Sequence, residues 1–192
     1  MAISSIDSVI QHNHRRFPRQ GVALPRNDRP RNSTNWNLTE VMRLFREKYE
    51  AFLAEFGKGK AMVLSSSADN RVSSRMMSVV CNDGLFYFQT DKNFRKYYQL
   101  INNPYVALCT ENIQIEGVCT EIGNPMDNTV FCNVYKECFS GSFKKYTLLK
   151  NERLFIVTPT FVERWLYIDT VPFIETFHIE AKEYKLSKYE GV

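Results

Sequence analysis

Four side chains that donate hydrogen bonds, three of them cationic, lie close together in the chain. Arg75 lies on a predicted strand, Thr90 ends the next strand, and Arg95 and Lys96 follow within a turn. If the two strands pair through the turn at residues 82–84, these groups converge. Together they match the acceptors of a phosphate monoester, and each charge-assisted hydrogen bond contributes roughly 1.5 to 3 kcal/mol. The alternative is that the cations are ordinary solvated surface charges.

The segment from Gly84 to Leu108 contains the elements that would position these groups. Residues 85–90 alternate between two faces and are rich in aromatics, which predicts a strand that ends at Thr90. A helix follows, because spacing of i, i+3, i+4 and i+7 puts four apolar side chains on one face: Phe94, Tyr97, Tyr98 and Ile101. Two cations in its first turn, Arg95 and Lys96, oppose the helix dipole, so their position favours an anion at this site.

The rest of the chain alternates short strands with a few helices. A helix is predicted to begin after Asn37 and to end at Gly57 and Gly59. The remaining predicted elements are strands at 60–67, 73–81, Tyr105–Thr110, Ile113–Ile122, Leu154–Val157, Val162–Ile168 and Phe173–Ile179, and a helix at Met126–Cys138. Short strands joined mostly by hairpins predict a closed antiparallel barrel with peripheral helices.

The net charge of +4 does not describe the folded part of the chain. Residues 1–36 contain six arginines and two aspartates, and the remainder carries equal numbers of basic and acidic side chains. A nucleic-acid reader normally concentrates positive charge on its folded surface, so we expect no nucleic-acid partner. An interaction module whose arginine-rich leader contacts nucleic acid or a membrane is a weaker alternative.

The composition predicts a disordered leader followed by one domain. Residues 1–36 are rich in Arg, Pro, Asn and Ser and cannot bury enough apolar surface to order themselves, whereas residues 37–192 can build a single core. No apolar run approaches the length of a membrane span, and the N-terminus lacks the apolar stretch of a secretory signal. We therefore expect a soluble, cytoplasmic protein without a membrane partner.

Cysteine and histidine residues give no metal site in the sequence. The five cysteines are odd in number and form no C-x-x-C pair, which favours reduced and mostly buried thiols. His178 is the only histidine of the predicted domain and is better interpreted as a core or edge residue than as a ligand. No paired carboxylates or nucleophile motif stand out, so no catalytic residue is assigned.

Several motifs carry a resemblance to a known superfamily. They are F-x-T-x-x-x-x-R-K-x-x-Q-L-x-x-N-P-x-V-A-L at Phe88–Leu108, R-x-M at Arg75–Met77, and V-x-P-x-x-[IV]-E-x-W at Val157–Trp165. In this order they resemble the FMN-binding split-barrel superfamily of pyridoxamine 5'-phosphate oxidases, over roughly residues 38–180. The resemblance implies a β-rich α+β fold, a six-stranded antiparallel split β-barrel with peripheral helices, and a homodimer that binds FMN at the subunit interface.

The resemblance also implies roles for particular residues. Arg75, Thr90, Arg95 and Lys96 would hold the FMN phosphate, and three consecutive residues would line the edge of the flavin ring: Met76, Met77 and Ser78. Asn112, five positions before Gly117, stands where the superfamily usually has a glutamine that approaches the isoalloxazine. Trp165 would stack near the flavin across the dimer interface, or alternatively be a core aromatic of a strand.

Departures from the motifs concern the vitamin substrate. The authentic oxidase has a lysine five positions after the strand arginine, where this chain has Val80. The C-terminus lacks an R-L-H-D-R-like segment, and residues 126–138 lack the Tyr, Arg and Ser set that binds the substrate phosphate. The sequence is therefore not expected to be an authentic pyridoxamine phosphate oxidase.

The resulting hypothesis is an FMN-dependent oxidoreductase that transfers a hydride between FMN and an unidentified small molecule or a nicotinamide. The alternative is a flavin-binding or haem-binding stress or sensor protein without catalytic turnover. Split-barrel relatives also use haem or deazaflavin, so these cofactors remain less favoured alternatives to FMN.

Overall fold

The computed structural model describes residues 37–191, and the predicted disordered leader at residues 1–36 lies outside them. Within this range, six antiparallel strands form a barrel: β1 (Gly59–Ala68), β2 (Arg71–Asn82), β3 (Leu85–Asp91), β4 (Tyr105–Thr110), β5 (Ile113–Glu121) and β6 (Glu152–Ile168). Their order is β3-β2-β1-β4-β5-β6, and pairing of β3 with β6 closes the barrel. The predicted six-stranded antiparallel split barrel is confirmed.

Tight turns between the strands have the backbone geometry that their sequences favour. Asp69 and Asn70 join β1 to β2, and Asp83 and Gly84 join β2 to β3, with all four residues at positive φ. Two consecutive positive φ values match the twist of a two-residue hairpin, and Asn, Asp and Gly adopt them at low cost. The turn predicted at residues 82–84 is confirmed, and it brings β2 beside β3.

The longest strand differs from its prediction. The sequence predicts separate strands at Leu154–Val157 and Val162–Ile168, whereas β6 runs without a break from Glu152 to Ile168. Pro159 lies in the middle of β6 opposite Gly117, where the β5–β6 register shifts at a bulge. A bulge accommodates proline, which has no backbone N–H to donate, so the strand continues through it.

Two further strands extend the sheet beyond the barrel. β7 (Val171–His178) pairs with the second half of β6, and β8 (Glu183–Lys188) pairs with β7. The sequence prediction omits β8, whose six residues are largely polar and exposed. Its pairing with β7, rather than a buried apolar face, therefore supports this strand.

The helices lie at the periphery of the barrel. They are α1 (Leu38–Phe56), α2 (Arg95–Asn102) and α3 (Thr129–Cys138), with a 3₁₀ turn at Pro125–Asp127 and further helical turns at Ser140–Ser142 and Phe143–Thr147. The predicted helix at Met126–Cys138 thus includes a separate 3₁₀ turn, and the Asn128 side chain caps α3 by accepting from the Phe131 N–H. None of the helices described is long and apolar enough to cross a membrane.

The barrel interior and α1 share one aromatic core. Phe52 and Phe56 of α1 pack with Phe86 and Phe177, and all four side chains are buried. The α1 helix is also fixed by charge, because Glu55 and Glu175 both bind the buried Arg164 guanidinium. A second core on the outer barrel surface lies under α3 and contains Val80, Tyr87, Phe131, Tyr135 and Leu154.

The α2 helix presents three of the four side chains of its apolar stripe outward, whereas Tyr97 packs against the barrel core. Phe94, Tyr98 and Ile101 share a face as predicted, but each is more than half exposed. The buried side chains are Gln99 and Leu100. The barrel end beneath α2 is polar, so the helix turns a glutamine inward and leaves three apolar side chains at the surface.

The bulge between β5 and β6 leaves no space for a side chain at Gly117. A Cβ atom there would lie 2.5 Å from the Thr158 carbonyl oxygen and 2.7 Å from Val157 Cγ1. We expect Gly117→Ala to lower the free energy of unfolding by about 3 kcal/mol, measured by denaturant titration. Gly141→Ala is the matched control, since nothing lies within 4 Å of its added Cβ. Equal stability of the two variants would contradict the close strand contact.

Candidate functional site

The Arg75 guanidinium is held at the barrel end by neutral acceptors. Arg75 lies opposite Leu64 in the β1–β2 register. Its Nη1 donates to Ser66 Oγ at 2.8 Å and to the Leu64 carbonyl oxygen at 3.3 Å, and its Nη2 donates to Gln99 Oε1 at 2.6 Å. These contacts fix the guanidinium between two strands and α2 without neutralising its charge.

A hydrogen-bond chain links Arg75 to Arg95. Gln99 Nε2 donates to Ser73 Oγ at 3.1 Å, and Arg95 Nη2 donates to the same oxygen at 3.3 Å. Burial lowers the pKa of Arg75, and the nearby Arg95 charge lowers it further. Gln99 therefore positions one predicted phosphate ligand and connects it to another. The sequence motif contains this glutamine as the Q of R-K-x-x-Q, although the sequence prediction does not include it among the site residues.

Lys96 lies near the positive charge of Arg75 and the negative charge of Glu152. Its side chain is half-buried, and burial lowers its pKa, as does the positive charge of Arg75, while Glu152 acts in the opposite direction. No ion pair with a carboxylate involves Arg75, Arg95 or Lys96 anywhere in residues 37–191. The barrel end thus carries three positive charges that no acidic side chain pairs with directly.

Thr90 provides the observation that best tests whether an anion fits here. Its side chain is 3% exposed, and its Oγ1 has no hydrogen-bond partner in the structure. A buried hydroxyl without a partner costs roughly 1 to 3 kcal/mol, so such a group usually indicates a missing acceptor or donor. An acceptor-rich anion near the three cations would supply the partner. The residues present therefore fit a phosphate group.

Glu152 is a charged residue of this region that the sequence prediction missed. It opposes Asp91 in the β3–β6 register and is 5% exposed. Burial, together with the negative charge of Asp91, raises the pKa of Glu152 to about 7, while Lys96 acts to lower it. The glutamate at the start of this apolar strand is visible in the sequence. Its contact with Asp91, however, forms only when β3 pairs with β6.

The three predicted ring-lining residues do not share one orientation. Met76 is 63% exposed on the outer barrel surface, whereas the Met77 side chain is buried in the barrel core. Ser78 points outward like Met76 and lies close to the Tyr135 side chain, whose pKa it acts to lower. A ligand on the outer surface would therefore meet Met76 and Ser78 through their side chains, and Met77 only through its backbone.

Asn112 and Trp165 form a separate pair. Asn112 lies in the β4–β5 turn, where its side chain donates to the Trp165 carbonyl oxygen and its carbonyl accepts from the Trp165 N–H at 3.1 Å. The Trp165 ring is 37% exposed and packs against Tyr189, so it is not a core aromatic. No hydrogen bond described in the structure joins this pair to Arg75, Thr90, or the first turn of α2.

The other candidate groups take no part in a site. All five cysteines, which lie within the described range, are free, but only Cys81 and Cys119 are buried, so the expectation of mostly buried thiols was wrong. Burial raises the pKa of both buried thiols to about 12. Residues 37–191 contain no cluster of metal-ligating side chains, and the exposed His178 packs against Phe161.

Comparisons with known proteins identify the fold. No protein-family model and no curated protein matches the chain. Among solved structures, PhzG from Burkholderia lata 383, in complex with tetrahydrophenazine-1-carboxylic acid, matches with a TM-score of 0.51 at 14% identity, covering 79% of this chain and 92% of that chain. This similarity shows the fold alone, since the identity is low.

Two further solved structures are similar to the chain with lower TM-scores. General Stress Protein 26 from Bacillus anthracis has a TM-score of 0.47 at 17% identity, covering 75% of this chain and 98% of that chain. A pyridoxamine 5'-phosphate oxidase-related, FMN binding protein from Nostoc punctiforme has a TM-score of 0.48 at 14% identity, covering 80% and 95%.

Proposed function

We propose that the protein binds FMN and is an FMN-dependent oxidoreductase that transfers a hydride between FMN and a small molecule. The observation that carries this proposal is the barrel end, where Arg75, Arg95 and Lys96 lack carboxylate partners among residues 37–191 and Thr90 Oγ1 is buried without an acceptor. A phosphate monoester satisfies these groups together. The split-barrel fold and the resemblance of the sequence motifs support FMN as its source.

Each residue of the site contributes to binding and orientation. The guanidinium groups of Arg75 and Arg95 and the Lys96 ammonium bind the phosphate, and the Thr90 hydroxyl donates to one of its oxygens. Met76 and Ser78 lie along the outer surface of β2, where the ring would extend. FMN, when bound, supplies the two-electron redox chemistry, and the protein contributes its position and electrostatic surroundings.

The second half of the site is proposed to come from a partner subunit. Asn112 and Trp165 contact each other and are exposed, and no hydrogen bond described in residues 37–191 joins them to the phosphate-binding residues. The outer barrel surface around Met76 also exposes Val72 and Tyr105, which a second copy of the chain would cover. A homodimer therefore brings Asn112 and Trp165 of one protomer to the FMN of the other.

The substrate is proposed to differ from pyridoxamine 5'-phosphate. Val80 stands where the authentic oxidase has its substrate lysine, and it is 1% exposed among the aromatic side chains of Phe131 and Tyr135. An apolar side chain sealed beneath α3 can neither pair with a phosphate nor reach a substrate. The protein is thus proposed to act on a different small molecule, with a nicotinamide as a candidate reductant.

Lys96→Met tests the phosphate site directly. We expect the dissociation constant for FMN to rise about 10- to 100-fold, because one charge-assisted hydrogen bond is lost. Fluorescence titration of FMN measures this change. Lys185→Met is the matched control, since it removes an equally charged but exposed side chain on β8. Equal affinities of the two variants would show that Lys96 does not bind the phosphate.

Complementation between variants tests the shared site. Lys96→Met and Trp165→Ala homodimers should each bind FMN weakly, whereas their mixed dimer should have one intact site and recover tight binding. A mixture of Lys96→Met with Arg75→Ala should not recover it, because both changes affect residues contributed by the same protomer. Differently tagged subunits confirm that exchange has occurred. Mixed dimers without recovered binding would contradict a site shared between subunits.

Turnover separates an oxidoreductase from a flavin-binding sensor. We expect NADH or NADPH to bleach the flavin absorbance of the holoprotein repeatedly when an electron acceptor is supplied. We also expect no pyridoxal 5'-phosphate to form from pyridoxamine 5'-phosphate, because Val80 replaces the substrate lysine. Absorbance spectra and product chromatography measure both results. Tight FMN binding without reduction by any nicotinamide would favour the sensor, and pyridoxal 5'-phosphate formation at ordinary enzyme levels would contradict the substrate proposal.

A further inference from the structure

Glu152 is a buried acid whose position the proposed binding of FMN does not explain. It begins β6, directly opposite Asp91, and its Oε2 is buried without a hydrogen-bond partner in the structure. Gln89 of β3 lies on the same face of the β3–β6 pair as Glu152, and its side-chain oxygen is also buried without a partner. Two unsatisfied acceptors on one face favour a proton on the carboxyl group, because an ionised glutamate would accept hydrogen bonds that this environment does not supply.

Charged and titratable groups face Glu152 from three packed elements. Asp91 approaches from β3, Lys96 from α2 and Tyr135 from α3. Burial and the Asp91 charge raise the pKa of Glu152 to about 7, and the Lys96 charge only partly offsets them. The carboxyl group therefore changes its charge within the physiological range, beside a cation that we assign to the FMN phosphate.

We propose that Glu152 is part of the cofactor site as a neutral carboxylic acid, and that its ionisation weakens FMN binding. This inference rests on the proposed function, because it requires Lys96 to bind the phosphate. A neutral Glu152 leaves the Lys96 charge available to the phosphate. An ionised Glu152 attracts Lys96 and also repels the phosphate dianion. Because the site is largely buried, water screens this repulsion only partly.

The direction of the pH effect follows from two opposing titrations. The second ionisation of a phosphate monoester occurs near pH 6, so FMN gains charge and affinity as the pH rises towards about 7. Glu152 loses its proton as the pH rises through about 7. Above that pH the phosphate no longer changes, and the ionisation of Glu152 should reduce the affinity. By linkage, bound FMN raises the pKa of Glu152, so binding above pH 7 takes up a proton.

The experiment measures the dissociation constant of FMN between about pH 6 and pH 9 for three proteins. For the wild type we expect a roughly tenfold loss of affinity above pH 7, the effect of one added like charge in a partly screened site. Glu152→Gln should keep its affinity above pH 7 and bind more tightly than the wild type at about pH 8.5. Glu137→Gln is the matched control, because it removes an exposed carboxylate that pairs with Lys58, and it should follow the wild type.

Riboflavin and proton uptake provide two independent readouts. Riboflavin has no phosphate, so its weaker binding should lack the loss of affinity that depends on Glu152. Calorimetry of wild-type FMN binding in buffers of different ionisation enthalpy should show proton uptake at about pH 7.5. This measurement remains decisive if Glu152→Gln fails to fold.

The possible outcomes separate the two proposals. Failure of the wild type to bind FMN at any pH would overturn the proposed function, and with it this inference. FMN binding with the same pH profile in the wild type and in Glu152→Gln would overturn the inference alone. Binding without proton uptake above pH 7 would do the same. Proton uptake by the wild type, together with an FMN affinity of Glu152→Gln that does not change above pH 7, would support the role of Glu152.

Discussion

The structure depends on holding the part-buried Arg75 guanidinium without a carboxylate beside it. A cation that is partly removed from water must keep its hydrogen bonds, and here Ser66, the Leu64 carbonyl oxygen and Gln99 accept them. These acceptors belong to β1 and α2, so satisfying Arg75 fixes the helix over the barrel end. Because all three acceptors are neutral, the positive charge is not cancelled. The same arrangement that positions α2 therefore makes the barrel end attractive to an anion.

This constraint also explains why α2 exposes its apolar stripe. A helix packed on an apolar barrel end would turn Phe94, Tyr98 and Ile101 inward to bury their surface. Here the barrel end contains an arginine and a serine, and the helix instead turns Gln99 towards them. The hydrogen bonds of Gln99 offset the burial of polar groups that would otherwise have no partner. The exposed stripe is thus a consequence of the polar site beneath it.

Local sequence signals predicted the barrel and half of the site. Hairpin turns and period-two patterns indicate the strand pairs β1–β2, β2–β3 and β4–β5, so the convergence of Arg75 with the start of α2 followed from nearby residues. Glu152 required a different kind of information. Its contact with Asp91 forms only when β6 closes onto β3, across about 60 intervening residues. Likewise, β8 lacks an apolar pattern and is defined by its pairing with β7. Pro159 is compatible with a continuous strand because the β5–β6 register shifts at a bulge beside it, opposite Gly117.

The geometry of the barrel argues that one chain holds only part of the proposed cofactor site. Asn112 lies in the turn beyond the Thr110–Ile113 pair, whereas Val106, at the other end of β4, pairs with Ser66 near Arg75. The two sets of residues therefore lie at different positions along β4, and no hydrogen bond described in residues 37–191 joins them. A second copy placed against the outer surface can bring them together without changing either barrel. Such an arrangement would also cover Met76, whose exposure is otherwise costly for a large apolar side chain. The exposed surface and the incomplete site thus support the same proposal, in which assembly of the protein and binding of the cofactor depend on each other.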